Sequence, residues 1–285
     1  MWLCPLCSQS LIRTGKTWAC TNRHSFDEAK SGYLNLLPVQ YKQSLEPGDN
    51  KLMVKARRLF HASGGYTPLM DKLTELITAN ICLNQDDTLS LFEAGCGEGS
   101  YLQNIAMSLK GKGIPVCSAG VDISKFAIEA AAKAFNQARF AVASNFKLPL
   151  PAASQDVVLQ VFAPGKMIEY ARILRPRGLL IMVEPGPNHL WELKQKIYSN
   201  PKQHVQQEQG SSKFTPVSTH QVSFQLELDD PDRKQGLLNM TPYVWKLTED
   251  KRAQIENSLQ SVTADFALTL WKLSLPDPKE PEHAQ

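Results

Sequence analysis

Residues Leu89-Ser90-Leu91-Phe92-Glu93-Ala94-Gly95-Cys96-Gly97-Glu98-Gly99 restrict the fold more than any other stretch of the chain. A short apolar run ends in an acid, turns through three glycines and enters a helical pattern at Ser100. This pattern reads as a buried strand, a tight turn and a helix start. Glycine lacks the Cβ that would hold a ligand away from the backbone. The first helical turn behind it offers unpaired N–H groups to a carboxylate or a phosphate. A turn that only closes a strand-helix unit is the competing reading.

The spacing G-x-G-x-G differs from the G-x-G-x-x-G of dinucleotide folds. Glu93 and Glu98 would face a diphosphate unfavourably. A ligand with a cationic centre and one carboxylate fits better, and S-adenosylmethionine is such a ligand. Glu93 would hold its amino group or the water around it. Gly95, Gly97 and Gly99 are therefore candidate cofactor-binding residues. Asp122, 25 residues after Gly97, ends the next apolar run. A carboxylate there can accept both ribose hydroxyls; the plainer alternative is a turn aspartate.

Downstream, apolar runs alternate with helical patterns. Strands are predicted at 89–94, 116–122, 139–144, 155–162 and 179–184, and helices at 100–109, 125–135 and 166–174. Ser124 is the expected N-cap of the second of these helices. The alternation predicts an α/β fold with a doubly wound parallel sheet, whose ligands bind at the carboxyl ends of the strands. Functional residues should lie just after positions 92, 121, 143, 162 and 184. Later come helices at 191–198, 231–238 and 250–259. Two late strands, 217–228 and 262–273, are expected to close one edge as an antiparallel pair. Residues 202–213 read as a mobile loop and 276–285 as a disordered tail.

The front of the chain carries a second signal, C-x2-C-x12-C-x3-H, formed by Cys4, Cys7, Cys20 and His24. Three thiolates and an imidazole at these intervals predict a closed, structural zinc site. A disulfide pair and unrelated thiols are the alternatives. A reducing compartment argues against the disulfide, and so short a segment needs a staple. Cys82, Cys96 and Cys117 are expected to be buried small apolar residues. The organisation expected is a zinc module over 1–38, a basic helical linker over 39–81 and a body over 82–275. Within the linker, helices are predicted at Lys51–Ser63 and from Tyr66 to about Ile81. The stretch Tyr33–Pro38 is expected to pack the module onto the body.

With 42% hydrophobic and 21% charged residues, this is an ordinary globular composition. The chain has no apolar run of about eighteen residues, so no membrane span is expected. No basic-then-apolar leader is visible either, so a cytoplasmic protein is expected. The net charge of +3 is uneven: residues 1–66 hold nine Lys and Arg against four acids. A basic front on a near-neutral body suggests an anionic partner such as nucleic acid, or else simply a solvated basic face. Arg57 and Arg58 are expected to grip phosphates.

Cys4-Pro-Leu-Cys7, Cys20-x-x-x-His24, Gly32-Tyr-Leu-Asn-Leu-Leu-Pro38, Ala56-Arg-Arg58, Gly95-Cys-Gly-Glu-Gly99 and Gly186-Pro-x-His189-Leu together resemble the ribosomal RNA large subunit methyltransferase A family. The resemblance runs from about residue 4 to residue 273. It implies a Rossmann-like S-adenosylmethionine-dependent methyltransferase sheet behind the zinc module. It also implies methylation of N1 of a guanine in a hairpin loop of 23S rRNA: guanine 745 in the branch this chain looks more like, guanine 748 in the related macrolide-resistance branch. By the same resemblance, cofactor contacts fall on Tyr66, Tyr101, Leu102 and His189, and the chain forms a homodimer whose zinc modules make one RNA cleft. From the residues alone, Tyr66 is more often a packing aromatic and His189 a loop histidine. The acid before the turn is Glu93, where methyltransferases commonly have Asp. Glu184 and His189 lie in the right loop to take the guanine proton, but nothing ranks them, so the catalytic base is unassigned. A small-molecule methyltransferase, or a zinc module using the sheet as a binding platform, are the competing functions.

Overall fold

The computed structural model describes residues 2–41, 47–82, 87–205 and 211–274. The centre of the expected loop, 206–210, and the tail 276–285 lie outside them. The front of the chain forms three short strands, β1 (Ile12–Thr14), β2 (Thr17–Ala19) and β3 (Ser25–Asp27), paired antiparallel in that order. Leu34–Asn35 form β4. Helix α1 (Lys51–Ala62) opens at Asn50, whose Oδ1 accepts from the backbone N–H groups of Leu52 and Met53, both at 3.0 Å. Helix α2 (Thr67–Asn80) follows, with Pro68 in its first turn.

The body alternates as expected: β5 (Leu89–Ala94), α3 (Ser100–Gly111), β6 (Val116–Asp122), α4 (Lys125–Ala134), β7 (Arg139–Val142), β8 (Gln155–Val161), α5 (Met167–Ile173) and β9 (Leu174–Pro185). Then come α6 (Trp191–Ile197), β10 (Phe214–Glu227), α7 (Pro231–Met240), α8 (Glu249–Ser258) and β11 (Ser261–Leu273). One eight-stranded sheet runs β10-β11-β9-β8-β5-β6-β7-β4. Strands β4 to β9 within it are parallel, and β10 and β11 close the edge antiparallel.

Three details depart from expectation. Leu34–Asn35 do more than pack: they pair parallel with Ala141–Val142 and extend the sheet by a strand. Arg175–Gly178 do not separate a helix from a strand. They bulge within β9, between the pairs Gln155–Leu174 and Val157–Leu179, with Arg177 at φ +66°. Of the cysteines expected to be buried, Cys82 is exposed, because it follows the end of α2, and Cys117 on β6 is only half-buried.

Residues 143–154, between β7 and β8, carry no helix, and the zinc module takes its place. Trp2 and Leu11 pack with Leu34, Phe92, Leu148, Leu150 and Tyr170 in one core. Leu3 N–H donates to the Pro149 carbonyl at 2.9 Å. The other face of the sheet is covered by α1, α2, α3, α4 and α7 in a second core. There α7 crosses α1 closely: a Cβ at Gly236 would lie 2.7 Å from the Phe60 nitrogen. Among the described residues, no helix is long and apolar enough to cross a membrane.

Candidate functional site

Cys4, Cys7, Cys20 and His24 converge, each ligand atom within 4.8 Å of all the others. Cys7 Sγ lies 3.6 Å from Cys20 Sγ, and His24 Nδ1 lies 3.5 Å from the sulfurs of Cys4 and Cys20. A tetrahedron with Zn–S bonds of about 2.3 Å separates its sulfurs by about 3.8 Å, so the four groups fit one zinc ion. All four positions are filled by protein, which makes the site structural. Two backbone turns shape it. Ser8 N–H donates to the Cys4 carbonyl and Arg23 N–H to that of Cys20, with Ser8 at φ +59° and Arg23 at φ +62°. The Gln9 backbone N–H facing Cys7 holds its thiol down to about 6, nearer the thiolate a metal requires.

The glycine turn borders a cavity of about 310 Å³ at the carboxyl ends of β5, β6, β7 and β8. Gly95, Gly97 and Gly99 all have positive φ. A Cβ on Gly95 would collide with Ala163, and one on Gly99 would press Ala131 at 3.1 Å. The turn is thus wedged between the loop after β8 and helix α4. Asp122 steadies it: Oδ2 accepts from Gly97 N–H at 2.9 Å and Oδ1 from Ser124 N–H at 2.7 Å. A carboxylate has about four acceptor sites, so two hydroxyls can still be received.

Glu93 is buried and accepts the Leu102 N–H at 3.0 Å. The backbone donor expected to face a ligand at Leu102 is therefore already used inside the protein. Glu98 is buried too and accepts from Ser100 Oγ at 2.8 Å. Burial pushes the carboxyls of Glu93, Glu98 and Asp122 up. The Tyr101 side chain lines the cavity.

Arg57 is placed differently from its sequence reading. Its side chain lines this cavity, and Nη2 donates to Asp49 Oδ2 at 2.6 Å. It does not share the solvent-facing position of Arg58, which is exposed. Asp49 is a wall residue that no motif singled out. Position on α1 could have separated the two arginines: Ala56 and Phe60 are buried, and Arg57 sits beside that stripe. The loops after β7 and β8, expected to be functional, supply Asn145, Phe146, Phe162 and Pro164. Asn145 Nδ2 donates to the Pro164 carbonyl at 3.0 Å, while its Oδ1 is buried with no partner among the described residues. Phe162 holds a left-handed φ of +52°, a backbone strain that cavity walls tolerate when the structure over-determines it.

Tyr66 and His189 come together behind the cavity. Tyr66 Oη lies 3.4 Å from His189 Nε2, and both rings pack on Phe266 at 4.9 Å. His189 Nδ1 accepts the Asp265 N–H at 3.3 Å. That leaves the proton on Nε2, directed at Tyr66. Burial holds His189 down to about 4, so it is neutral at pH 7. Its ring stands 5.9 Å from that of Phe162, which does line the cavity.

Comparison with known proteins agrees with this geometry. Residues 2–45 match the family described as RlmA, N-terminal, and residues 85–231 match a methyltransferase domain. The 23S rRNA (guanine(748)-N(1))-methyltransferase of Streptomyces fradiae is 32% identical over 257 residues, 88% of each chain. Bacillus subtilis YxjB, whose name assigns it provisionally to the guanine-N1 class, is 33% identical over 277 residues, 95% of this chain and 96% of its own. With relatives matched almost end to end, and a zinc cluster and glycine turn both formed, the chain belongs to the ribosomal RNA large subunit methyltransferase A family.

Proposed function

We propose that this protein methylates N1 of a guanine in a hairpin loop of 23S rRNA, at position 745, using S-adenosylmethionine. The observation that carries the reading is the charge of the cavity. Among the described residues, Asp49, Glu93, Glu98 and Asp122 line it with one cation, Arg57. A ligand with a sulfonium, an ammonium and one carboxylate is complementary to that set. Asp122 would take the ribose hydroxyls, and Arg57 the carboxylate. The unpartnered Asn145 Oδ1 would take an exocyclic amine such as that of adenine. Gly95, Gly97 and Gly99 would let the backbone approach, and Tyr101 would wall the pocket. Tyr66 and His189 would support it from behind through Phe162 and Phe266.

The cofactor supplies a methyl group on a sulfonium. Nitrogen N1 attacks the methyl carbon, the carbon–sulfur bond breaks, and its electron pair stays on sulfur. The N1 proton ends in solvent. The protein's part is alignment and exclusion of water. The zinc module and the exposed Lys55 and Arg58 of α1 would hold RNA phosphates. The target base must be splayed out to reach the cavity. The family resemblance further supports a cytoplasmic homodimer whose two modules flank one RNA cleft.

Primer extension across 23S rRNA from cells with and without the protein tests the reading, because N1 methylation blocks base pairing. A protein-dependent stop at guanine 745 is the expected result. A stop at 748, the position named for the Streptomyces fradiae relative, would move the chain to that branch. No stop in the rRNA, with methyl transfer to a metabolite extract instead, would replace it with a small-molecule methyltransferase.

A further inference from the structure

The cofactor cavity has two unlike sides. Asp49, Arg57, Glu98 and Asp122 make one side charged, while the loops after β7 and β8 close the other with Phe146, Phe162, Ala163 and Pro164. Its volume of about 310 Å³ is near the lower limit for a pocket holding one small ligand, roughly 300–1,000 Å³. The cofactor therefore takes the interior, and a base to be methylated must meet it at the rim. The charged side carries more acids than cations, a poor neighbour for RNA phosphates. On the aromatic side two large rings stay in water: Phe146 is 49% exposed and Phe162 37%. At φ +52°, Phe162 is a backbone outlier for a bulky residue, and its surroundings hold it there. Its N–H donates to the Val183 carbonyl at 3.0 Å, and its ring centroid stands 5.8 Å from that of Phe266 and 5.9 Å from that of His189. The loop that follows is pinned as well. The Pro164 carbonyl accepts from Asn145 Nδ2, Ala163 lies where a Cβ on Gly95 would go, and a Cβ on Gly165 would collide with the buried Tyr170 hydroxyl. An aromatic ring fixed in advance at a cavity mouth loses little entropy when a ligand stacks on it.

Positive charge sits beside the rings. Lys166 Nζ stands over the Phe146 ring, 5.9 Å from its centroid, and Lys166 and Lys147 are both exposed. Lys147 Nζ donates to the Pro5 carbonyl in the Cys4–Cys7 turn at 3.3 Å, so this rim is continuous with the zinc module. Rings that stack bases, next to lysines that follow phosphates, are how proteins hold unpaired nucleotides.

We propose that Phe162 and Phe146 stack on the splayed target guanine at the rim of the cofactor cavity, and that Lys166 receives a phosphate beside it. Stacking fixes the plane of the base and leaves its Watson–Crick edge, which carries N1, free to turn into the cavity. The rings offset part of the cost of pulling the base out of its loop. They do not choose guanine over other bases, because every base has a face to stack. The proposal rests on the guanine-methylation reading and adds what grips the base.

The test compares a 23S hairpin carrying guanosine at the target with one carrying an abasic nucleotide there, each bound in the presence of S-adenosylhomocysteine so that no turnover occurs. The ratio of the two affinities is taken for wild type, Phe146→Ala and Phe162→Ala. Comparing ratios cancels the cost of extruding the base, which is common to all three proteins. Each alanine variant should shift the ratio against guanosine by about 5- to 150-fold, and Phe146→Tyr should restore it. For Phe146→Ala, kcat/KM on the guanosine hairpin should fall by a similar factor, while S-adenosylmethionine affinity, abasic-hairpin affinity and Tm keep their wild-type values. A ring that served only packing would lower Tm and leave the ratio alone. Lys166→Ala should reduce the salt slope of guanosine-hairpin binding by about 0.7; an unchanged slope removes that lysine from the grip. Ratios within about twofold of wild type in both alanine variants overturn the proposal, although the enzyme still acts on guanine. If wild type methylates no 23S hairpin at all, the guanine reading fails and the grip with it.

Discussion

The zinc module and the cofactor cavity solve the same problem of organising polar groups with opposite means. In the module, four side chains from a span of about twenty residues meet at one point, and a single ion would neutralise and fix them. In the cavity, Asp49, Arg57, Glu93, Glu98, Asp122 and Asn145 come from six separate elements and loops. Backbone N–H groups and a packed core hold them. The first arrangement is local and metal-dependent; the second is global and metal-independent. They should therefore fail separately, although Trp2 and Leu11 lie in the core beneath the sheet.

The largest expected effect comes from removing the ion. Structural zinc contributes on the order of 10–16 kcal/mol to small metal domains. Cys4→Ser should abolish zinc retention, measured by metal analysis, and weaken hairpin binding to a non-specific level, roughly 10⁻⁴–10⁻⁶ M. Calorimetry should still detect S-adenosylmethionine binding. Parallel loss of both would break the contrast and make the two regions one cooperative unit. Second in size is Gly95→Ala, which adds a Cβ against Ala163 at a left-handed position. Crowding and backbone strain should cost roughly 2 kcal/mol or more. The variant should lose cofactor binding while zinc content stays full.

The two adjacent arginines sharpen the comparison. Arg57→Ala should weaken S-adenosylmethionine roughly 10- to 100-fold in calorimetry and change hairpin affinity little. Arg58→Ala with Lys55→Ala should leave the cofactor alone. It should shrink the salt slope of hairpin binding by roughly 0.9 for each phosphate no longer neutralised. Equal cofactor effects from both variants would show that Arg57 acts only through the fold.

The smallest effect is a pH dependence on the cavity side. His189 is held down to about 4 in the folded protein, against about 6.5 for an ordinary histidine. Between those values the unfolded chain binds more protons. The stabilisation from a neutral His189 is thus full above pH 6.5 and is lost as pH falls toward 4. The buried acids shift stability with the opposite sign, so the informative quantity is wild type minus His189→Gln. That difference in Tm should narrow on acidification, while zinc content of the two proteins follows the same curve. A difference constant with pH would mean that His189 does not change its charge on unfolding.

Much of this was legible from local spacing. The zinc ligands, the strand-turn-helix and Asp122 all depend on short-range geometry that residue intervals encode. The ends of β7 and β8 were foreseeable as sites because parallel sheets place them there. Long-range pairings were not. Asp49 is an unremarkable turn acid until α1 swings it and Arg57 to the glycine turn. Leu34–Asn35 are too short to show a strand period, and only the bare edge of β7 makes them one. The N–H of Leu102 looks available on a helix diagram, yet Glu93 takes it. Tyr170 carried no signal, since a buried tyrosine becomes informative only once its hydroxyl is seen to lack a partner among the described residues.

The pairing of Leu34 and Asn35 with β7 has a consequence for cutting the molecule in two. Cleavage just after the metal-binding head, before position 39, would strip away the strand that shields β7 and bare a row of hydrogen-bonding groups. Such an open margin recruits strands from other chains. The enzyme body released this way would be adhesive, and the head acts as its selvedge as well as its hand.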